Sequence, residues 1–347
     1  MATSTLKTRN DYTVAILCAL DLERNVVRRM LDEEHRRLQT EPGDSNSYTL
    51  GELQGHNVVL TCLPSQQGKG AAAIVAANMS RSFPSIKWRL FVGIGGGVPS
   101  DKHDIRLGDV VISMPEGEHG GVVQYDLGRD TNSGFELKGF LWPIPAVLRN
   151  AAQDMIEEYM ETMFKKWPRM SSYKEPLEPD VLFPEDFQHP PGAATCTGNC
   201  DPSQAVARPA REFKGPAIHY GLIASGDSVI KSSVRRGDIA RSFNCDVLCF
   251  EMEAAGLMTE YPSIVIRGIS DYADSHKNKD WQPYAAATAA ACAKELLSNV
   301  NPESVPEPTA APAVLPIYGG PASNVFTGQG VQNTGSLNIG RDFNANR

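Results

Sequence analysis

Residues 247–274 read VLCFEMEAAGLMTEYPSIVIRGISDYAD and contain two apolar runs, 247–250 and 263–267, each followed closely by acidic side chains. Apolar runs of this length, without alternation, are typical of strands buried on both faces of a sheet. Acids at the ends of two neighbouring parallel strands would converge on one crevice. The segment therefore predicts a buried sheet with a cluster of carboxylates at one edge.

Similar apolar runs recur along the chain, at 13–18, 57–62, 89–93 and 109–114. Segments of helical pattern lie between and after them, at 21–37, 70–80, 145–165 and 284–299. The last of these is dense in alanine, the best helix former. Strands that alternate with helices predict an α/β fold, with a central mostly parallel or mixed sheet flanked by helices. We expect this domain to occupy residues 10–300.

Two stretches interrupt this rhythm. Residues 167–216 are rich in Pro, Asp and Glu and have little periodicity, which predicts an irregular insertion that serves as a lid or a contact surface. Residues 301–316 form a Pro-rich linker. Residues 317–347 are rich in Gly, Asn and Gln with few charges, so they cannot build a core by themselves.

The composition excludes several classes of protein. The 347 residues carry a formal net charge of −8 with both signs well mixed, so there is no basic stripe for a nucleic acid. No apolar run approaches the roughly 18–20 residues that span a bilayer, and the first residues lack the pattern of a signal peptide. Seven cysteines, several of them in apolar runs, do not suggest a disulfide framework. We therefore expect a cytoplasmic protein that binds neither nucleic acid nor membrane.

The first candidate site follows the run 13–18, where Asp21 and Glu23 begin a predicted helix. A carboxylate there lies at the carboxyl end of a strand, where open α/β sheets bind ligands. The alternative is that both acids only stabilise the N-terminus of the helix. The pattern alone leaves both interpretations open.

The second candidate is the glycine run FVGIGGGV at residues 91–98, which places Gly93, Ile94, Gly95 and Gly96 after a predicted strand. Glycines let a backbone approach a ligand closely, although a tight turn between strand and helix would explain them equally well. The spacing does not match the G-x-G-x-x-G fingerprint of dinucleotide-binding proteins.

The third candidate is a set of four acids. Glu251 and Glu253 follow the apolar run 247–250, and Asp271 and Asp274 follow the run 263–267. Each acid alone would be explained as a helix cap. Burying several carboxylates near one another is costly unless a site uses them. Together they favour a functional site. By contrast, His189, Cys196 and Cys200 have a spacing too loose for a zinc motif, so ordinary loop residues and no metal are expected.

Six blocks together resemble the nucleoside phosphorylase and nucleosidase superfamily, which includes purine nucleoside phosphorylases and methylthioadenosine/S-adenosylhomocysteine nucleosidases. They are AILCALDLE, GIGGG, DIRLGDVVIS, GLIASGDSVI, FEMEAAG and IRGISDYAD, in the family's order over residues 13 to about 298. The surrounding sequence is most similar to the N-terminal domain of fungal NACHT-type immune receptors. The resemblance implies a nucleoside phosphorylase-like fold, a homo-oligomer without cofactor, and cleavage of the N-glycosidic bond of a purine nucleoside or nucleotide, ATP included, in an immune or cell-death pathway.

The resemblance also implies residue roles. Glu253 would accept hydrogen bonds from the ribose hydroxyls above Met252, Asp271 would protonate N7 of the departing base, and Glu23 would position a water. The remaining expected substrate-binding positions are Glu251, Ser270, Gly93, Ile94, Gly95, Gly96, and Val229 and Ile230, where nucleosidases place an aromatic side chain. Cations near these motifs that would contact a 5′-phosphate, or else serve as surface charges, are Lys69, Lys231, Arg235 and Arg236.

The same resemblance favours hydrolysis over phosphorolysis. Phosphorylases of this superfamily bind phosphate with an arginine and a hydroxyl residue at positions that Phe91 and Ile94 occupy here. Arg106 or a neighbouring subunit would then have to supply a phosphate ligand. Two further hypotheses stay open: a non-catalytic nucleotide-sensing scaffold, and a tail that acts as an interaction segment. Residues 317–347 resemble in composition the short amyloid motifs of fungal death signalling, which predicts a partner with a similar motif.

Overall fold

A computed structural model describes residues 7–65, 67–132, 134–155, 165, 168–170, 173–213 and 215–302. The linker from residue 303, the tail 317–347, and residues 156–164 of the predicted helix 145–165 lie outside this part of the chain. The description below concerns the first of the two units into which the chain divides, residues 1–304.

Twelve strands and six α-helices form among the described residues. The strands are β1 (Val14–Cys18), β2 (Glu33–Glu34), β3 (Thr49–Leu53), β4 (His56–Cys62), β5 (Trp88–Gly97), β6 (Val110–Ser113), β7 (Val122–Gln124), β8 (Gly128–Thr131), β9 (Gly134–Leu137), β10 (Ile218–Ser225), β11 (Val247–Glu251) and β12 (Ile264–Asp271). The helices are α1 (Asp21–Met30), α2 (Lys69–Ser82), α3 (Ala146–Gln153), α4 (Ser233–Arg241), α5 (Ala254–Met258) and α6 (Gln282–Ser298).

The main sheet is mixed and partly closed. Its strand order is β11-β10-β6-β12-β5-β1-β4-β3-β2, with β7 beside β10. Because β11 also pairs with β5, the strands β11, β10, β6, β12 and β5 form a ring, from which the other four extend. Strands β8 and β9 form a separate hairpin. The predicted α/β class, with a central mixed sheet and flanking helices, is confirmed.

The glycine run is part of a strand, which corrects the prediction of a turn after residue 93. Strand β5 continues to Gly97, with β12 parallel on one side and the end of β11 antiparallel on the other. A Cβ atom at Gly95 would overlap the Cys249 sulfur, and one at Gly96 would lie 3.0 Å from the Asp271 carboxylate. The glycines are therefore needed because three chain segments approach one another closely.

Strands β11 and β12 are not neighbouring parallel strands, contrary to expectation. They flank β5 from opposite sides and run in opposite directions, because β12 is parallel to β5 whereas β11 is antiparallel. The acids at the ends of β11 and β12 nevertheless come close together, because both strands pair with the same residue of β5: Gly96 lies opposite Phe250 on one side and Asp271 on the other.

Helix α1 ends at Met30, well before the predicted residue 37, because the chain then pairs Glu33 and Glu34 with β3. Helix α6 is nearly all buried and lies directly on the sheet, where a Cβ at Gly268 would overlap the backbone of Ala285. None of the described helices is both long and apolar enough to cross a bilayer.

The longest described stretch of the irregular insertion, residues 173–213, is called the excursion below. Within it only a single 3₁₀ turn, Pro202–Gln204, is regular. It contacts the loop of residues 272–281 between β12 and α6: the Ser275 hydroxyl accepts from the His189 N–H at 2.9 Å, and the Tyr272 hydroxyl donates to Asp180 at 2.5 Å. The excursion therefore covers the loop that follows Asp271.

Candidate active site

Glu23 links the end of β1 to the glycine strand β5. It stands in the first turn of α1, where one carboxylate oxygen accepts the backbone N–H groups of Ala19 and Leu20, both at 2.8 Å. The other oxygen accepts the Ile94 N–H at 2.8 Å. The side chain is buried, and burial raises the pKa of Glu23, opposed by the charge of Arg267 and by the three N–H donors. Glu23 is thus a buried carboxylate held by three N–H donors, and through the Leu20 N–H it also caps the start of α1, as the alternative interpretation expects.

Arg267, which sequence reasoning missed, is the buried counter-ion of this region. Its Nη2 lies 2.5 Å from Glu251 Oε2 and 3.9 Å from Glu253 Oε2, and its guanidinium carbon is 4.1 Å from the centroid of the Phe91 ring. A Cβ at Gly93 would overlap Arg267 and Glu23, so this glycine makes room for both. The signal was available, because an arginine inside the apolar run IVIRGI requires buried partners.

The two glutamates after β11 have different surroundings. Glu251 accepts from the backbone N–H groups of Glu253 at 3.1 Å and Ala254 at 2.9 Å as well as from Arg267, so it holds the start of α5. Glu253 accepts one long backbone bond, from Gly68 at 3.4 Å. Burial, and then the charge of Glu251, raise the pKa of Glu253 to about 7 against the opposing charge of Arg267. Glu253 therefore keeps free acceptor capacity for a ligand.

A cavity of about 280 Å³ brings most of the predicted residues together. Its predicted members are Glu23, Ile94, Gly95, Gly96, Val229, Ile230, Lys231, Glu251, Met252, Glu253 and Ser270. Sequence reasoning missed Phe250, Gln67, Lys277 and Lys279, which also line it. Val229 and Ile230 stand where nucleosidases place an aromatic side chain, but Phe250 supplies an aromatic ring to the same cavity. The volume lies near the lower end of the range for small-molecule sites.

Asp271 does not line this cavity; it lines an adjoining one of about 230 Å³, and Ser270 lines both. Its Oδ2 accepts from the Ser270 hydroxyl at 2.9 Å and lies 2.9 Å from Lys277 Nζ, while its Oδ1 accepts the Ala273 N–H at 3.0 Å. The acids therefore lie at two adjoining cavities rather than in one crevice, and Asp271 stands between them, against Ser270 and beside Gly96. Ala273, which donates to Asp271, has a positive φ of 51° in the loop that follows the strand. Lys277 connects Asp271 with the cavity.

The family model described as the phosphorylase superfamily matches residues 13–298 of this chain. The chain belongs to the phosphorylase superfamily. The fold of this phosphorylase-superfamily domain is also that of two solved nucleosidases. The methylthioadenosine/S-adenosylhomocysteine nucleosidase of Neisseria meningitidis matches with a TM-score of 0.55 and 23% identity over 82% of this chain and 98% of that one. The futalosine hydrolase of Helicobacter pylori matches with a TM-score of 0.54 and 18% identity over 84% and 99%.

A curated relative of this superfamily domain is a nucleotide-binding leucine-rich repeat (NLR)-like protein of Hyaloscypha variabilis. It is 41% identical over 301 residues, which cover 85% of this chain and 30% of the relative. The chain thus spans less than a third of the length of that protein. The methylthioadenosine/S-adenosylhomocysteine nucleosidase of Mycobacterium tuberculosis is 22% identical over 82% of this chain and 95% of its own.

Of the four cations that the sequence placed near a 5′-phosphate, three do not line the cavity. Lys69 Nζ pairs with Asp126 at 2.5 Å and Asp227 at 3.3 Å. Arg236 is buried and donates to the Tyr272 carbonyl at 2.7 Å. Lys69 and Arg236 are therefore occupied by protein partners. Arg235 does not line the cavity. Of the four predicted cations, Lys231 alone reaches the cavity, where Lys277 and Lys279 join it.

Neither of the two positions at which phosphorylases hold a phosphate ligand carries one here. Phe91 is buried beneath Arg267, and Ile94 lines the cavity with an apolar side chain. Arg106 lies elsewhere, where it donates to Asp104 at 2.9 Å and to the Pro209 carbonyl at 2.5 Å. Neither Phe91 nor Ile94 offers a charge or a hydrogen bond to a phosphate.

Proposed function

We propose that this domain hydrolyses the N-glycosidic bond of a purine nucleoside or nucleotide. The observation that carries the proposal is that two buried carboxylates, Glu23 and Glu253, line one small cavity whose wall includes a backbone of consecutive glycines. Cleavage develops positive charge on the sugar and negative charge on the base, so it needs anionic groups at the sugar and a proton for the base. The nucleosidase relatives support this reaction class.

In the proposed reaction Glu253 accepts hydrogen bonds from the ribose hydroxyls, with Met252 beneath the sugar and Phe250 near the base. Glu23 receives a proton from the attacking water, whose oxygen forms the new bond to the anomeric carbon. The three N–H donors to Glu23 keep its carboxylate in position, which lowers the cost of orienting the water.

The departing base takes its electron pair from the glycosidic bond and gains a proton at N7. We assign this proton to the pair of Asp271 and Lys277, joined at 2.9 Å. The proton leaves the Lys277 ammonium, because Asp271 is the carboxylate of the pair. Lys277 lines the cavity whereas Asp271 adjoins it, so the proton reaches N7 either directly from Lys277 or by way of the Asp271 carboxylate after the loop shifts, and Lys277 is left neutral. In both cases the pair of Asp271 and Lys277 carries one negative charge after the proton has left.

We extend the proposal to adenine nucleotides, ATP included. Lys231, Lys277 and Lys279 line the cavity that Glu23 and Glu253 also line. Among the described residues, neither Lys231 nor Lys279 has an ion-pair partner. Free lysines beside a sugar site would contact a 5′-phosphate chain. The similarity to an NLR-like protein supports a role as the effector domain of an immune receptor.

The test is to incubate the protein in phosphate-free buffer with ATP, AMP, adenosine, inosine or methylthioadenosine and to identify both products by chromatography. We expect a free purine base and a sugar without a new 1-phosphate. A strict phosphate requirement with a 1-phosphorylated sugar would establish phosphorolysis instead. If no free base forms from any of the five, the non-catalytic scaffold becomes the better hypothesis.

A further inference from the structure

A compact group of imidazole and thiol side chains lies outside the proposed active site. His189, Cys200 and His276 each place one donor atom so that all three atoms lie within 4.8 Å of one another. The Nδ1 of His189 is 3.1 Å from the sulfur of Cys200 and 3.8 Å from that of Cys196. All four side chains are at least partly buried, and both thiols are free.

Each of the two histidines has a ring nitrogen available to bind a metal ion. His189 Nε2 lies 3.1 Å from the Ala193 carbonyl, a bond that places the ring proton on Nε2 and leaves the lone pair of Nδ1 toward the sulfurs. The side chain of His276 is 7% exposed, yet neither of its ring nitrogens has a hydrogen-bond partner among the described residues. A buried imidazole without partners is unfavourable unless something else satisfies it. Asp274 lies 3.6 Å from His276 Nδ1, near enough to orient the ring.

We propose that His189, Cys196, Cys200 and His276 bind a zinc ion. Two thiolates with two imidazoles form a common tetrahedral ligand set of structural zinc sites. Ligand atoms about 2.0–2.3 Å from a zinc ion lie roughly 3.3–3.8 Å from one another. The three atoms within 4.8 Å of one another are close to this spacing, with His189 and Cys200 slightly too near at 3.1 Å. Cys196, which lies outside that group of three but 3.8 Å from His189, must turn its sulfur toward the other ligands. Orientation of a ligand histidine by a carbonyl or carboxylate on its other nitrogen is characteristic of metal sites.

The chain spacing alone could not show this site. His189, Cys196 and Cys200 belong to the excursion, whereas His276 comes from the loop 272–281, more than seventy residues later. The sequence expectation of no metal is therefore replaced by this proposal. A zinc ion there would tie the excursion to the loop that carries Lys277, alongside the existing bond from the His189 N–H to Ser275.

Metal analysis of the full chain tests the proposal without any measurement of catalysis. After dialysis against metal-free buffer without a chelator, we expect about one zinc per chain by plasma mass spectrometry. Cys200→Ser and His276→Gln should reduce zinc affinity by more than about 100-fold, beyond the effect of losing a group that only orients a ligand. Cys245→Ser, at a partly buried cysteine outside the cluster, is the matched control and should retain zinc.

Cobalt substitution of the wild-type chain keeps the test valid if a variant misfolds. Replacing zinc by Co²⁺ should give a thiolate-to-cobalt charge-transfer band and the intense visible bands of a tetrahedral site. The proposal is overturned if the wild type retains no zinc and shows no thiolate band with cobalt. It is equally overturned if a folded Cys200→Ser chain retains as much zinc as Cys245→Ser.

Discussion

Replacing Glu253 with glutamine removes a buried carboxylate whose charge state changes near neutral pH. The charge of Arg267 favours the ionised form, whereas burial and the charges of Glu251 and Glu23 disfavour it more strongly. Raising the pKa of Glu253 from 4.5 to about 7 corresponds to about 3 kcal/mol, at roughly 1.4 kcal/mol for each tenfold change in a protonation equilibrium.

The direction in which pH changes the free energy of unfolding depends on whether the folded or the unfolded chain binds the Glu253 proton more tightly. The folded chain holds the Glu253 proton more tightly than the unfolded chain, so this contribution to stability is complete below pH 4.5 and is lost as the pH rises through about 7. In the wild type the free energy of unfolding should therefore decrease by up to about 3 kcal/mol between pH 5 and pH 8 through this group. Glutamine does not titrate, so Glu253→Gln should lack that decrease.

Urea unfolding at several pH values measures this difference directly. Glu260→Gln, at an exposed glutamate nearby, is the control and should follow the wild type. The same group should give kcat/KM an acid limb near pH 7, because an ionised Glu253 accepts from ribose; the glutamine variant should be slower by about 10²- to 10⁴-fold and without that limb. Parallel stability curves for wild type and Glu253→Gln would refute the reasoning.

Three further substitutions test other parts of the site. Glu23→Gln leaves at least one of three backbone N–H donors facing an amide nitrogen, so we expect a loss of about 1–3 kcal/mol in urea unfolding and about 10²- to 10⁴-fold slower sugar release. Unchanged turnover would remove its role. Gly93→Ala places a methyl group against Arg267 and should cost about 1–3 kcal/mol; an unchanged melting temperature would contradict the packing. Lys231→Glu should raise KM about tenfold for a nucleotide but not for its nucleoside, with Arg235→Glu as control; equal effects on both substrates would argue against a phosphate contact.

The sequence allowed the central strands to be predicted, because runs such as VAILC in β1 are apolar on both faces. It did not reveal β10, whose run IHYGLIAS mixes polar and apolar residues: His219 and Tyr220 are partly exposed, whereas residues 221–225 are buried. The glycine run was expected to turn, since local preference alone favours a turn. It became a strand because its neighbours in the ring require a backbone without side chains.

The acids of the site were predictable by type and position, but their partners were not. The ion pair between Arg267 and Glu251 joins two strands on opposite sides of β5, and no spacing in the chain encodes it. The position of Asp271 depends on the loop that follows it, where Lys277 folds back onto the carboxylate. Such long-range and loop contacts are decided by packing rather than by local pattern.

The closure of β11 onto β5 has a consequence for how this domain meets other proteins. At that end of the sheet the last strand is paired on both sides, so it presents no open row of backbone donors and acceptors. At the other end stands β2, two exposed glutamates long. A short, charged strand is a poor template for an incoming one. At these two ends of the strand order, the main sheet therefore offers little free backbone for the addition of a strand.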